Sequence, residues 1–422
     1  MKGLAAFLGS LTLAFAGWTS AFAQHSQVLG PTPLNYFGLI MQRLDSGTPW
    51  PPFQFGSWRF WDAYVGWPDL EPRQGDWQFK RLDLYVMAAT AKGVDIIYPL
   101  GLSAPWASAR PTEKSGYKPG YAAEPANLEN WRRYVRTVAE RFKGKIKYYE
   151  VWNEPSDKSY FSGDPDTLVR MLKIAYETIK SIDSSAQVIA PGVAGTGEHL
   201  AYLDDLLGRG AKNYIDILGH HFYVPNGDPE DMGPLILEVR KIMRKHGIEN
   251  KSLWNTETGW WIGNADGTPD HPMVAKGGWK KFSAGDESNA LLVRAFVLAR
   301  SWGVDRFIWY AWDSEYGYGM RDVKSGKPKP IAQYYTYAVE LMKDWIVRPC
   351  DTQDSVWICK LERLGEKPKW IAWTTRETME WRLPPYLNDI SVKSADGKSD
   401  ELMRGPILTL KRMPVVLYKN NL

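Results

Sequence analysis

The chain has 422 residues, 44% hydrophobic and 24% charged, the balance of a folded globular protein and not of a disordered or collagen-like one. A formal net charge of +4, with Lys and Arg evenly mixed among acids, excludes a charge-driven nucleic-acid or membrane-surface binder. The chain is also rich in aromatics, 21 Trp and 22 Tyr against 14 Phe, and an indole offers a flat apolar face with one N–H donor, which suits the face and rim of a sugar.

The first residues read as a targeting signal. Lys2 supplies a positive n-region, Leu4 to Trp18 an apolar stretch, and Ala21-Phe22-Ala23 a cleavage site, so residues 1–23 are expected to be removed and the mature chain to begin near Gln24. The stretch is shorter than the roughly 20 residues a spanning helix needs, so export to the periplasm or medium is expected, without stable membrane insertion.

Residues 24–346 then carry eight runs of β-favouring residues, beginning near Tyr36, Trp58, Asp95, Lys147, Gln187, Asp216, Ser252 and Asp305. Helical patterns follow them, such as Phe79 to Ala91, Leu128 to Arg141 and Asp166 to Ile182, with Gly93 and Gly144 as stops after the first two. Strand and helix alternating eight times predict an α/β fold, a (β/α)₈ TIM barrel whose site lies at the C-terminal strand ends. After a last helix, Ala332 to Trp345, the pattern becomes short alternating runs at Ser355–Leu361, Lys369–Thr374, Ile390–Val392 and Pro414–Tyr418. Residues 347–422 are therefore expected to form a small antiparallel, β-sandwich-like domain. Its role is read as structural, with sugar binding by Trp357, Trp370, Trp373 or Trp381 as the alternative. Cys350 and Cys359 are the two cysteines; an oxidising compartment lets them pair, and two free buried thiols are the alternative.

Two carboxylates are placed for chemistry. Glu154 ends the run Tyr148 to Glu154 just before Pro155, and Glu257 repeats the arrangement in Ser252 to Trp260. They are 257 − 154 = 103 residues apart, three units of about 34, which puts them at the ends of strands 4 and 7 across the barrel mouth. Breaking a glycosidic bond needs one protonated and one ionised carboxyl group. Glu154 is assigned as acid/base and Glu257 as nucleophile, and strands facing across a narrow barrel suit the roughly 5 Å separation of a retaining enzyme. Asp313 and Glu315, near the end of strand 8, are the alternative nucleophiles.

The neighbours supply a supporting shell. Asn153 is placed to bond a sugar 2-hydroxyl, Tyr223 to keep Glu257 ionised, and His221 to shape the subsite. Arg59 on strand 2 either points inward, to pair with Glu257, or outward as a surface charge. Trp312 is the candidate sugar platform on strand 8. Two long connections, Ser103 to Asn127 and Thr258 to Ser288, carry Trp106, Trp260, Trp261 and Trp279 as candidate groove walls. Lys276, Lys280 and Lys281 lie in the second; facing the cleft, they favour an acidic polysaccharide. The His pattern matches no metal motif, and neither metal nor cofactor is expected.

Trp152-Asn153-Glu154-Pro155, followed three units later by Glu257, resembles clan A of the glycoside hydrolases. Trp67-Pro68, Glu71-Pro72, Gly75-Asp76-Trp77, Phe79, Leu82-Asp83, and His221 with Tyr223 resemble the same clan. An exported barrel with a small β-domain is most similar to glycoside hydrolase family 39, which includes β-xylosidases, iduronidases and bacterial exopolysaccharide endoglycosidases. The resemblance covers roughly Asn35 to Trp345 and implies a barrel, retention, Glu154 as acid/base and Glu257 as nucleophile. Within that family, export and long aromatic loops point to an endo-enzyme acting on a polysaccharide, including the host's own exopolysaccharide, with a secretion complex as partner. An exo-acting β-glycosidase, a transglycosylase and a non-catalytic carbohydrate-binding barrel are the alternatives.

Overall fold

The computed structural model describes residues 28–272, 279–314, 316–387, 390–394, 400–403 and 405–419. The expected export signal, Lys276 and Glu315 lie outside the described residues.

Eight strands form the barrel: β1 (Phe37–Ile40), β2 (Ser57–Arg59), β3 (Asp95–Leu100), β4 (Tyr148–Val151), β5 (Gln187–Ile189), β6 (Ile217–His221), β7 (Ser252–Thr258) and β8 (Arg306–Trp309). All pair in parallel in the order β5-β4-β3-β2-β1-β8-β7-β6, and Ile189 opposite Ile217 closes the ring. Each strand starts within one residue of its expected position.

Helices α1 (Lys80–Ala91), α2 (Leu128–Arg141), α3 (Pro165–Ile182), α4 (Glu198–Gly208), α5 (Met232–Lys245), α6 (Asp286–Ser301) and α7 (Ile331–Met342) cover the barrel. The expected alternation fails once. Between β1 and β2 the chain forms only a 3₁₀ turn, Leu44–Ser46, because Pro49, Pro51 and Pro52 remove amide donors and clash with a helical backbone. Elsewhere local chemistry sets the starts. Asn127 caps α2 by accepting from the Glu129 N–H, and Asp164 caps α3 by accepting from the Thr167 N–H, with Pro165 opening that helix. Leu168, Met171, Leu172, Ala175 and Ile179 give α3 its buried stripe.

The antiparallel strands from Ile346 to Lys419 form a seven-stranded sheet and a two-stranded one. In β9 (Val356–Glu362) and β10 (Lys369–Thr374) the two-residue side-chain period separates two cores. Val356, Ile358, Trp370 and Ala372 pack with Trp381, Leu408 and Leu410 of the small sheet. Trp357, Cys359, Leu361, Ile371 and Trp373 instead join the barrel core. Trp357 stacks on Trp373, centroids 6.1 Å apart, and meets Trp302 just beyond α6 at 6.2 Å. The Trp373 indole donates to Glu230 at 2.6 Å, and Glu230 also pairs with the buried Arg294 of α6. The four tryptophans given an alternative sugar-binding role are therefore packing residues, none more than 7% exposed. Cys350 and Cys359 are joined by a disulfide, as expected.

Candidate active site

Backbone geometry aims both acids. Beyond β4 the chain takes left-handed conformations at Trp152 (φ 69°) and Glu154 (φ 46°), which turns Glu154 over the barrel mouth. The Glu154 N–H is tied to the Gly192 carbonyl at 2.8 Å. Glu257 is aimed differently. Between the pairs Phe307–Asn255 and Trp309–Thr258, β7 advances 258 − 255 = 3 residues while β8 advances 309 − 307 = 2. This irregularity is a β-bulge, which inverts the side-chain alternation and turns Glu257 to the same side as the inward Trp254.

One Glu154 oxygen, one Glu257 oxygen and a His221 ring nitrogen all lie within 4.8 Å of one another. A divalent cation held by these three atoms would compete with Arg59 for Glu257, so the group reads as an acid pair with an orienting imidazole. Arg59 points inward. It is fully buried and donates three ways: Nε to Glu150 Oε2 (2.6 Å), Nη1 to Glu257 Oε2 (2.7 Å) and Nη2 to Asn153 Oδ1 (2.7 Å). Trp58 and Phe60 take the opposite face, packed on Tyr85 of α1. The Tyr223 hydroxyl donates to Glu257 Oε1 at 2.9 Å. His221 Nδ1 lies 2.8 Å from Glu154 Oε1, so its ring orients the other acid.

These partners separate two similar carboxyl groups. Burial pushes Glu154 up to about 7, with the Arg59 charge pulling the other way. Burial likewise pushes Glu257 up to about 7, opposed by Arg59 and reinforced by Glu154. Such a pair shares its titration. The first proton leaves Glu257, because a charge-assisted bond from Arg59 and a phenol donor stabilise its anion. Burial holds His221 down at about 4, so the imidazole is neutral and offers Glu154 no full charge.

Not every predicted residue faces the pair. Trp312 is fully buried, edge-on to Phe53 with its indole N–H on the Pro49 carbonyl, and Trp260 is fully buried against Trp309 with its N–H on Gly227. Neither has a free face for a sugar. Trp106 sits edge-on to Trp67 and donates to the Glu71 carbonyl. Asp313 accepts the backbone N–H groups of Gln42 and Arg43, fixing the end of β1 as a structural carboxylate. Lys280 pairs with Glu287 and Lys281 with Asp270, so neither is a free cation for an acidic polymer.

Two clusters of aromatic rings nonetheless lie near the acids. Trp61, Tyr117 and Tyr160 form one set, with centroids 5.8 and 5.6 Å apart in sequence, and Tyr223, Trp261, Trp279 and Tyr318 form the other around Trp279. Sequence reasoning found Trp261 and Trp279 in the long loop but missed Trp61, Tyr117, Tyr160 and Tyr318. It also missed Glu150 and Gly192. Glu150 carried a signal, a carboxylate inside a strand read as apolar. A Cβ on Gly192 would stand 2.6 Å from His221 Nε2 and 2.8 Å from Glu150 Oε1, so only glycine fits there.

Solved structures share this architecture. The chain is similar to a family 39 glycoside hydrolase from Bacteroides cellulosilyticus WH2, at 19% identity and TM-score 0.69, over 92% of this chain and 81% of that one. It is also similar to a family 39 β-xylosidase from Caulobacter crescentus (17%, TM-score 0.63, 94% and 98% covered). A family 30 endoxylanase from Clostridium papyrosolvens C71 follows at 13% and TM-score 0.59, with 93% and 98% covered. No protein-family model and no curated protein sequence matches the chain.

Proposed function

We propose that this protein is a retaining endo-β-glycosidase that hydrolyses an extracellular or periplasmic polysaccharide. The observation that carries the reading is the Glu154–Glu257 pair, oxygens within 4.8 Å, with Arg59 and Tyr223 on one acid and a neutral imidazole on the other. That spacing is near the roughly 5 Å of retaining enzymes and leaves no room for a water on the opposite face of the sugar.

Glu154 gives its proton to the glycosidic oxygen while Glu257 attacks the anomeric carbon; the carbon–oxygen bond breaks and a glycosyl ester forms on Glu257. Glu154, now ionised, takes a proton from water, whose oxygen attacks the same carbon and releases Glu257. Ester formation removes the Glu257 charge, so the Glu154 pKa falls and its carboxylate stays ionised, ready to act as the base in this step. Arg59 keeps Glu257 anionic before attack and after release. The similar structures described as a β-xylosidase and an endoxylanase support a polymer or oligomer of β-linked sugars as substrate. Two separate aromatic clusters near the acids favour internal cleavage, since they offer stacking faces to more than one sugar of a chain. The host's own exopolysaccharide, met outside the cytoplasm beside a secretion complex, fits the expected export signal.

Incubation with β-linked polysaccharides and the source's exopolysaccharide, following product size, tests the proposal. Early short oligomers from the wild type, absent from Glu154→Gln and Glu257→Gln, support it. Monosaccharide release alone replaces it with the exo-acting alternative. Binding without cleavage replaces it with a carbohydrate-binding barrel.

A further inference from the structure

A third carboxylate stands at the mouth. Asp62 lies three residues beyond Arg59, half-buried, in a left-handed conformation (φ 53°) that a non-glycine residue adopts at a cost. Two residues on, Tyr64 is left-handed as well (φ 56°), so this short stretch bends tightly where β2 opens into the cleft.

The surroundings of Asp62 are built from three other strand ends. Gln42, after β1, donates its amide N–H to the Tyr310 hydroxyl at 2.8 Å, and Tyr310, after β8, donates to Asp62 Oδ2 at 2.7 Å. The Tyr117 hydroxyl, from the long loop after β3, faces the same carboxylate and favours its charged form. Gln42 and Tyr310 are buried, so the chain of donors has one direction and leaves Asp62 as an acceptor. Tyr310 also donates its backbone N–H to the carbonyl of Thr258, the residue after Glu257, at 2.8 Å, which sets Asp62 beside the acid pair; burial raises the Asp62 pKa, and the Tyr310 bond and the Arg59 charge oppose that rise. None of the steps of bond cleavage uses it. A carboxylate held as an acceptor in a partly dry cleft meets sugar hydroxyls with charge-assisted bonds and repels a second anion. The Arg59 charge acts on Asp62 as well, but it is already paired with the Glu150 and Glu257 carboxylates, and its donors are taken.

We infer that Asp62 reads the sugar ring seated over Glu154 and Glu257: its carboxylate accepts hydrogen bonds from ring hydroxyls and favours an uncharged ring over one that carries a carboxylate. This rests on the glycosidase reading above and adds the class of sugar to it. Asp62 is a substrate-binding residue, and the reacting atoms remain those of the acid pair.

The test uses 2,4-dinitrophenyl β-glycosides of glucose, xylose, mannose and glucuronic acid, each also extended by one β-linked neutral sugar, with wild type, Asp62→Asn and Asp62→Ala. Asn is isosteric and tolerates the left-handed conformation, so that variant folds with its neighbours in place. The wild type should prefer neutral rings. In Asp62→Asn, kcat/KM on the preferred neutral glycoside should fall about 10- to 100-fold, from loss of a charge-assisted acceptor. The ratio of glucuronide to glucoside turnover should rise about tenfold, from loss of like-charge repulsion. A purely structural role would lower both rates together and leave the ratio unchanged, which overturns the inference. Full activity of Asp62→Ala on neutral rings, or a wild type that prefers the glucuronide, also overturns it. A wild type silent on every glycoside and polymer overturns the glycosidase reading and this inference together.

Discussion

Arg59 holds Glu257 through a 2.7 Å bond from Nη1 to Oε2, with the guanidinium fully buried. Such a cation lowers the pKa of the acid it touches. In Arg59→Lys the charge remains but the three-way fork is lost, so Glu257 binds its proton more tightly than in the wild type. The acidic limb of the kcat/KM profile should therefore move to higher pH, and the maximum should fall by about 100-fold or more. An unmoved limb would detach Arg59 from the ionisation of Glu257.

Replacing either acid should remove most turnover. Glu154→Gln and Glu257→Gln are each expected to lose roughly three to five orders of magnitude on a natural polymer. The two differ on a glycoside with a 2,4-dinitrophenolate leaving group, which departs without protonation. Glu154→Gln should then form its glycosyl ester at near wild-type speed, visible as a burst of phenolate, whereas Glu257→Gln should show none.

The same burial that prepares Glu154 for catalysis costs stability. Its carboxyl ordinarily titrates near 4.5 and is pushed up to about 7 in the fold, so the native state binds the proton more tightly than the unfolded chain. Stability from this group is full below pH 4.5 and is lost as pH rises through about 7. Glu154→Gln should therefore be more stable than wild type at pH 8, on the order of 2 kcal/mol, and near equal at pH 4. Urea midpoints at the two pH values check the sign; a variant less stable at pH 8 contradicts it.

Gly192 is a second point where shape and chemistry meet. A methyl group there collides with His221 Nε2 and Glu150 Oε1, while the Gly192 carbonyl holds the Glu154 N–H. Gly192→Ala should displace the imidazole from Glu154 and lower kcat by about 100-fold, while circular dichroism shows a folded barrel. Wild-type kcat in that variant would mean that the His221 contact is dispensable.

The barrel was legible because strand and helix periods alternate along Asn35 to Trp345, and because eight strands at near-regular spacing admit few other closures. The acid pair was legible from position at strand ends. What escaped was whatever depends on the third dimension. Trp312 reads as a sugar platform and Trp260 as a groove wall, yet an indole at a strand end can turn inward as easily as outward, and both found core partners. The proline-rich stretch after β1 was readable as a break in the helical pattern but was averaged into the repeat. Glu257 lies out of phase with the inward Trp254 by simple alternation, and only the bulge in β7 explains its direction. Asp62 and Tyr310 are 248 residues apart, and no local pattern announces their bond.

The central claim is that Glu257 attacks sugar and becomes covalently attached to it. Incubating the protein with 2,4-dinitrophenyl 2-deoxy-2-fluoro-β-glycosides of glucose, xylose and mannose, each also extended by one neutral sugar, slows breakdown of that intermediate more than its formation. Mass spectrometry of the intact chain and its peptides should show one fluoroglycosyl group on the peptide containing Glu257, and none in Glu257→Gln. A label on Asp313 or Asp62, or an unlabelled chain that still hydrolyses the parent glycosides, would contradict the account.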